Sequence, residues 1–170
     1  KDVQLSDEAI HLLFSANRWE KAQEIEEELK RGTTVVCDRY SFSGIAFSVI
    51  KGLSWEWCES PDRGLPSPDL TLFLSLSSET ARRRAGFGGE RYETQEIQDE
   101  VRRVFELIGR RLSSSSSSSS SLEERGTLWR EVSAEGTIDQ VEENVWEQVD
   151  DVLNGKESDR LERGIGKLWV

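Results

Sequence analysis

A β-branched run that breaks abruptly into charge, TTVVC followed by Asp38 and Arg39, constrains the fold of this chain more than any other stretch. Residues 33–37 read as a strand buried on both faces, as strands of parallel sheets are. In open α/β sheets, ligands bind beyond the carboxyl ends of the strands, so an acid and an arginine placed there face a candidate site. Tyr40, Ser41, Phe42, Ser43 and Gly44 follow with aromatic and small polar surface suited to gripping a nucleotide. A plainer reading stays open beside it, in which Asp38 caps the next helix and Arg39 pairs with it.

Helical spacing flanks this run. From Leu5 to about Lys30 the pattern predicts a helix with Ser6 as N-cap, Asp7 and Glu8 in the first turn, and Ile10, Leu13 and Phe14 on one side. Phe14 and Arg18 are four residues apart and share a face, which sets a flat ring beside a planar cation. Two readings are open: the pair stacks a base and hydrogen-bonds its edge, or Phe14 is core and Arg18 pairs with Glu20 or Glu24 at the surface. His11 lacks a Cys or His partner at ligand spacing and reads as a packed or capping histidine. Gly32 ends this helix; Ser41 to about Ile50 forms another, closed by Gly52. The segment from Leu53 to Pro68, with Pro61 and Pro66, reads as a long surface loop. Asp69 to Leu76 and Thr127 to Ala134 are further strands, and Gln95 to Leu112 and Thr137 to Leu153 are amphipathic helices. Strands alternating with helices imply crossover connections and a parallel sheet, hence an α/β fold.

Ser78 is expected to cap a short helix leading into Arg82, Arg83 and Arg84, after which Gly86, Gly88 and Gly89 give a hinge-like loop ending in Glu90, Arg91 and Tyr92. Arginines flanking glycines, in a chain of net charge −11, suggest a mobile phosphate-gripping lid, since guanidinium forks match phosphate oxygens. An exposed basic turn offsetting nearby acids is the alternative. The same acidity disfavours polymeric nucleic acid and anionic lipid as partners, and no apolar run approaches the length of a membrane span. Cys37 and Cys58 form no metal or redox spacing, which fits a reducing cytoplasm or nucleus. The serine run from Ser113 to Ser121 has no apolar side chain to bury and reads as a disordered insertion. The chain starts at Lys1 and holds no methionine, which reads as a processed chain or a segment of a longer one.

HLLFSANRWE, then DRYSFSGIAFS, then WC with PDRGLPSPDL, then FGGERYE, in that order, resemble the thymidylate kinase family of nucleoside monophosphate kinases. The resemblance covers nearly the whole chain apart from the serine insertion. It implies the P-loop NTPase fold and a transferase that uses ATP and magnesium to convert thymidine monophosphate (dTMP) to the diphosphate. It implies Phe14 as the ring stacked on thymine, Arg18 as donor to the base edge, and Arg39 on the acceptor phosphate. Asp38 would help organise the magnesium indirectly, with Arg39 and Arg91 the other catalytic groups. Ser43 and Gly44 would line the base and sugar pocket, and Phe47 would disfavour a ribose 2′-hydroxyl. Tyr92 would reach the bound monophosphate, Gln98 would lie near it, and Arg82, Arg83, Arg84, Glu90 and Arg91 would belong to the lid. The resemblance also implies a homodimer.

A P-loop run, GxxxxGK followed by Ser or Thr, does not occur in the sequence. Set against the family's order, the first strand, the P-loop with its helix, and the second strand are missing. The expectation is therefore an incomplete parallel sheet, with residues 1–170 forming the acceptor site and lid of a single domain and inactive alone. The competing expectation is a kinase-derived binding or scaffold protein that holds a nucleotide and transfers nothing.

Overall fold

The computed structural model describes residues 5–84, 95–115, 127–156, 158 and 164–169, which fall into two compact units. None of the described helices is long and apolar enough to cross a membrane.

The first unit is built on helix α1 (Asp7–Lys30), capped by Ser6, whose Oγ accepts the Ala9 N–H at 3.2 Å. Gly32 closes it at φ 83°, a left-handed conformation that glycine adopts without a Cβ clash. The inward stripe of α1 is His11, Ser15 and Ala22, with Arg18 half-buried between them at helical spacing. Phe14, read as core in one of the two sequence readings, is instead 63% exposed, and Leu13 also faces solvent. Polar partners decide the face. His11 Nδ1 and Ser48 Oγ lie 2.8 Å apart, and His11 Nε2 donates to the Cys58 carbonyl at 2.9 Å. Ser15 Oγ shares its single hydrogen between Asp62 Oδ1 at 2.6 Å and the Pro61 carbonyl at 3.0 Å, and Trp19 Nε1 donates to that carbonyl at 2.7 Å. Buried polar groups must be paired, and here the pairing outweighs the apolar stripe. His11 is thus a packed histidine, as its isolation in sequence implies.

Those partners lie on α2 (Ser41–Val49), α3 (Trp55–Glu59) and the 3₁₀ turn Ser60–Asp62. Phe42, Ile45 and Ala46 of α2 form an apolar core with Cys58, Leu65 and Leu168. The segment read from sequence as a surface loop therefore supplies part of the interior. Its backbone is held by the carboxyl-terminal residues. Gly64 N–H donates to Leu168 O at 2.9 Å, Leu168 N–H to Leu65 O at 2.8 Å, and Ser67 N–H to Gly166 O at 2.8 Å. The Trp169 ring packs 5.5 Å from that of Phe42, so Leu168 and Trp169 do tack this end of the chain down.

Residues 33–37, expected as a buried strand, have no ladder partner among the described residues; Val36 is 89% exposed. A β-branched run becomes a strand only where a neighbour takes up its N–H and C=O groups.

The second unit is a two-stranded parallel sheet with helices. Strand β1 (Leu70–Ser75) pairs with β2 (Leu128–Ser133) in the register Leu70 to Leu128 and Ser75 to Ser133. Helices α4 (Ser78–Arg83) and α5 (Gln95–Ser115) lie between them in the chain, and α6 (Ile138–Leu153) follows. Ser77 rather than Ser78 caps α4, accepting the Thr80 N–H at 3.2 Å. Thr137 and Gln140 cap α6 reciprocally. Phe73 of β1 stacks on Phe105 of α5 with ring centres 5.0 Å apart, and Trp129 of β2 lies 5.8 Å from Phe73. Val101, Val104 and Ile108 of α5 bury against this layer with Val132 and Val152. Helix α5 runs on through Ser113, whose hydroxyl donates to Gly109 O at 2.8 Å, so the serine run starts as helix; residues 116–121 lie outside the described ones.

Candidate functional site

The first unit holds two contacts on α2, Arg18 with Gly44 and Arg39 with Phe47. Arg18 projects from the middle of α1 and meets Asp62, at the end of the 3₁₀ turn. Its Nε donates to Asp62 Oδ1 at 3.1 Å, and its Nη2 lies 2.7 Å from Oδ2. Asp62 is fully enclosed, with 0% side-chain exposure. Its carboxylate also accepts the Ser15 hydroxyl at 2.6 Å on Oδ1 and the Ser41 hydroxyl on Oδ2. An ionised carboxylate taken out of water needs donors for its lone pairs, and α1 and α2 supply them together. The Arg18 Nη2 contact is an ion contact without hydrogen-bond alignment, so its N–H bonds are left for another acceptor.

Gly44 faces the same guanidinium. A Cβ there would stand 3.2 Å from Nη2 and 3.4 Å from Nη1 of Arg18, so the absent side chain is what lets the fork lie flat on α2. Phe14, one turn earlier on α1, presents an exposed ring.

Arg39 occupies the left-handed region at φ 65°, uncommon for a residue with a Cβ and concentrated at functional sites. Its guanidinium sits over the Phe47 ring, 4.9 Å from the centroid, a cation–π contact. Tyr40, not Asp38, takes the N-cap position of α2 and makes no side-chain cap there. The plainer reading of Asp38 as the helix cap is thereby corrected; Asp38 is exposed beside Arg39. The Tyr40 hydroxyl donates to Pro66 O at 3.2 Å, and burial pushes its pKa up, so it stays a neutral donor. Ser43 is half-buried on α2, four residues before Phe47 and on the same face.

In the second unit, Arg83 lies 3.7 Å from Glu79, and Arg84 donates to Ala134 O at 2.6 Å. Gln98 is half-buried on α5, and Arg82 belongs to α4. Glu90, Arg91 and Tyr92 lie outside the described residues. Sequence reasoning gave Asp62 no role, although PDRGLPSPDL was among the blocks it singled out.

The family model for thymidylate kinase matches residues 1–123. The chain belongs to the thymidylate kinase family. It is 50% identical over 128 residues to a thymidylate kinase of Schizosaccharomyces pombe, covering 75% of this chain and 61% of that one. A thymidylate kinase of Arabidopsis thaliana is 47% identical over 157 residues, covering 90% and 54%. The human one is 38% identical over 170 residues, covering 99% and 72%. The chain thus spans little more than half the length of some thymidylate kinases it matches. A solved structure of thymidylate kinase from Candida albicans superposes with a TM-score of 0.72 at 34% identity, covering 98% of this chain and 75% of that one. The helix-rich α/β fold with its small parallel sheet is accordingly that of the P-loop kinases.

Proposed function

We propose that this chain carries the acceptor site and lid of an enzyme that transfers the γ-phosphoryl group of ATP to dTMP, giving the diphosphate. One observation supports it above the others: an arginine fork fixed by a buried carboxylate, with donors to spare, next to an exposed aromatic ring on the same helix face. That arrangement suits a flat base with a carbonyl on its edge, the ring of Phe14 stacking and Arg18 donating. Ser43 and Gly44 line the sugar side. Phe47, braced by Arg39, fills the space a ribose 2′-hydroxyl needs. Arg39 then meets the acceptor phosphate at the start of α2, where backbone N–H groups also favour an anion.

In the transfer, an acceptor phosphate oxygen forms a bond to the γ-phosphorus while the bond to the ADP oxygen breaks. The protein's share is to align the two nucleotides, exclude water and surround the moving group with cations. Arg39 supplies one cation, and Arg91, with Arg82, Arg83, Arg84, Glu90 and Tyr92, would supply the lid; Gln98 would lie near the bound nucleotide. The described residues hold no cluster of three metal-ligating side chains, and a lone exposed carboxylate fits magnesium, which keeps most of its water and takes its remaining ligands from phosphates. Asp38 would hold the ion indirectly, and the ion when bound would neutralise charge on the phosphates. We further propose that residues 1–170 form part of a single domain, that the P-loop lies in the part of the relatives' length this chain does not span, and that the complete protein is a cytoplasmic homodimer.

The experiment is a coupled ADP-release assay on the full-length protein with dTMP as acceptor. Arg39→Ala is expected to lower kcat by a hundredfold or so, the usual scale for one cation on a transferring phosphoryl group. Unchanged kcat would remove Arg39 from the site. The second reading is nucleotide binding without transfer, by a full-length protein that holds no GxxxxGK run. Calorimetry showing dTMP binding with neither ATP affinity nor turnover in the full-length protein would select that reading.

A further inference from the structure

We infer that Asp62 is a positioning residue for the base-reading arginine: with Ser15, Ser41 and Gly44 it fixes the plane and reach of the Arg18 fork. The inference rests on the proposed role of Arg18 and adds how that role is achieved. An arginine has many rotamers, and one left to itself at the rim of a site would lose much of its donor geometry to disorder. Here the Nε edge is occupied by Asp62 Oδ1 at 3.1 Å, which sets the fork's plane. Nη2 is held 2.7 Å from Oδ2 by charge while its N–H bonds point elsewhere. Gly44 sets the depth, because any larger residue would meet Nη2 and Nη1.

Asp62 is itself immobilised. Ser15 from α1 and Ser41 from α2 donate one hydroxyl to each carboxylate oxygen, and no part of the side chain reaches solvent. Ser15, Ser41 and Arg18 all meet this carboxylate as donors. An aspartate satisfies all of them; an asparagine would turn an NH2 toward either the Ser15 and Nε edge or the Ser41 and Nη2 edge, and a guanidinium cannot accept. Asp62→Asn therefore pushes the fork away with almost no change of volume. A mere clip between helices predicts only loss of stability from the same change. A positioning role predicts a change in how dTMP is held.

The test uses the full-length protein, with dTMP and ATP in steady state and thermal melting alongside. Asp62→Asn is expected to raise KM for dTMP about tenfold or more, the scale of a lost charge-assisted contact, with a smaller effect on kcat. In an Arg18→Met background the same change is expected to leave KM where Arg18→Met alone put it, since residues acting through one another are not additive. Ser41→Ala, which keeps both charges, is expected to raise KM severalfold in the same direction and decides the matter if Asp62→Asn does not fold. If Asp62→Asn or Ser41→Ala lowers the melting temperature while KM stays put, or if the double variant is additive, the positioning role is overturned. If Arg18→Met itself leaves KM unchanged, the base-reading assignment falls, and the inference falls with it. A raised KM for Arg18→Met with independent Asp62 effects overturns the inference alone.

Discussion

Gly44→Ala sets stability against function at one atom. Gly44 lies inside α2 with no positive φ, where alanine is favoured over glycine by about 1 kcal/mol. Against that gain, the new methyl carbon would sit 3.2 Å from Arg18 Nη2 and 3.4 Å from Nη1, closer than the roughly 3.5–4.0 Å such contacts prefer. Something must give by a few tenths of an ångström. The α2 backbone is fixed by Phe42, Ile45 and Ala46 in the core, so the guanidinium moves, and its 3.1 Å bond to Asp62 lengthens. A hydrogen bond to a charged group contributes about 1.5–3 kcal/mol, so partial weakening takes back most of the helix gain. Stability is then expected to change by less than about 1 kcal/mol, a melting shift within about 4 °C. The proposed base site would feel the displacement undiluted. KM for dTMP is expected to rise about tenfold, equivalent to roughly 1.4 kcal/mol. Differential scanning calorimetry and steady-state kinetics on the full-length protein give the two numbers. A stabilised variant with unchanged KM refutes the claim that Arg18, held at this depth, reads the nucleotide.

Other predictions concern parts of the molecule away from that contact. Gly109→Ala would place a Cβ 2.6 Å from Trp129 Nε1, within the Phe73, Phe105 and Trp129 layer, and is expected to cost about 1–3 kcal/mol with a shifted tryptophan emission; a melt matching the parent would overturn this packing. The Glu135 carboxyl is pulled down to about 2 by the Ser77 hydroxyl, the Thr80 hydroxyl and the Ser77 N–H. A depressed carboxylate stabilises the fold above its ordinary value and loses that contribution as pH falls toward about 2, so the melting difference between parent and Glu135→Gln is expected to narrow below about pH 4.5. A difference constant from pH 6 to pH 3 would contradict it. Cys58 is fully enclosed and its thiol is pushed up to about 11, chiefly by burial, so it is expected to react with thiol reagents only at the rate of unfolding; rapid modification in native buffer would show that α3 opens on its own.

The elements with local signals were legible in the sequence. Ser6 caps α1, the amphipathic run from Thr137 to Leu153 forms α6, and the apolar runs at Leu70 and Leu128 pair in parallel, each because a nearby group or a matching run settles the conformation. The elements whose state depends on distant chain were not. Val35 and Val36 read as interior on composition, yet residues 33–37 form no ladder among the described residues. The prolines of Leu53–Pro68 suggested a surface loop, yet Leu65 and Asp62 are enclosed, because residues 166–168 cover that backbone from nearly the other end of the sequence. Local propensity carries no information about such a cover.

The site residues were placed by resemblance, but the group that holds Arg18 could have been sought by helix geometry alone. On α1 the positions that face Arg18 are Phe14, Ser15, Lys21 and Ala22, three or four residues away, and none is acidic. Glu20 and Glu24, the acids nearest in sequence, are two and six residues away and do not face it; Glu24 in fact lies 2.9 Å from Lys21. An arginine on the inward side of a helix with no acid in reach must find its counter-charge on another element. The candidates were few, and Asp62 stands between Pro61 and Arg63 in a block already marked by its resemblance. The stripe of His11, Ser15, Arg18 and Ala22 was thus a better guide to the inward face than Ile10, Leu13 and Phe14. Apolar residues are content on either side, whereas a half-buried arginine fixes the rotation of the helix by where its carboxylate can be.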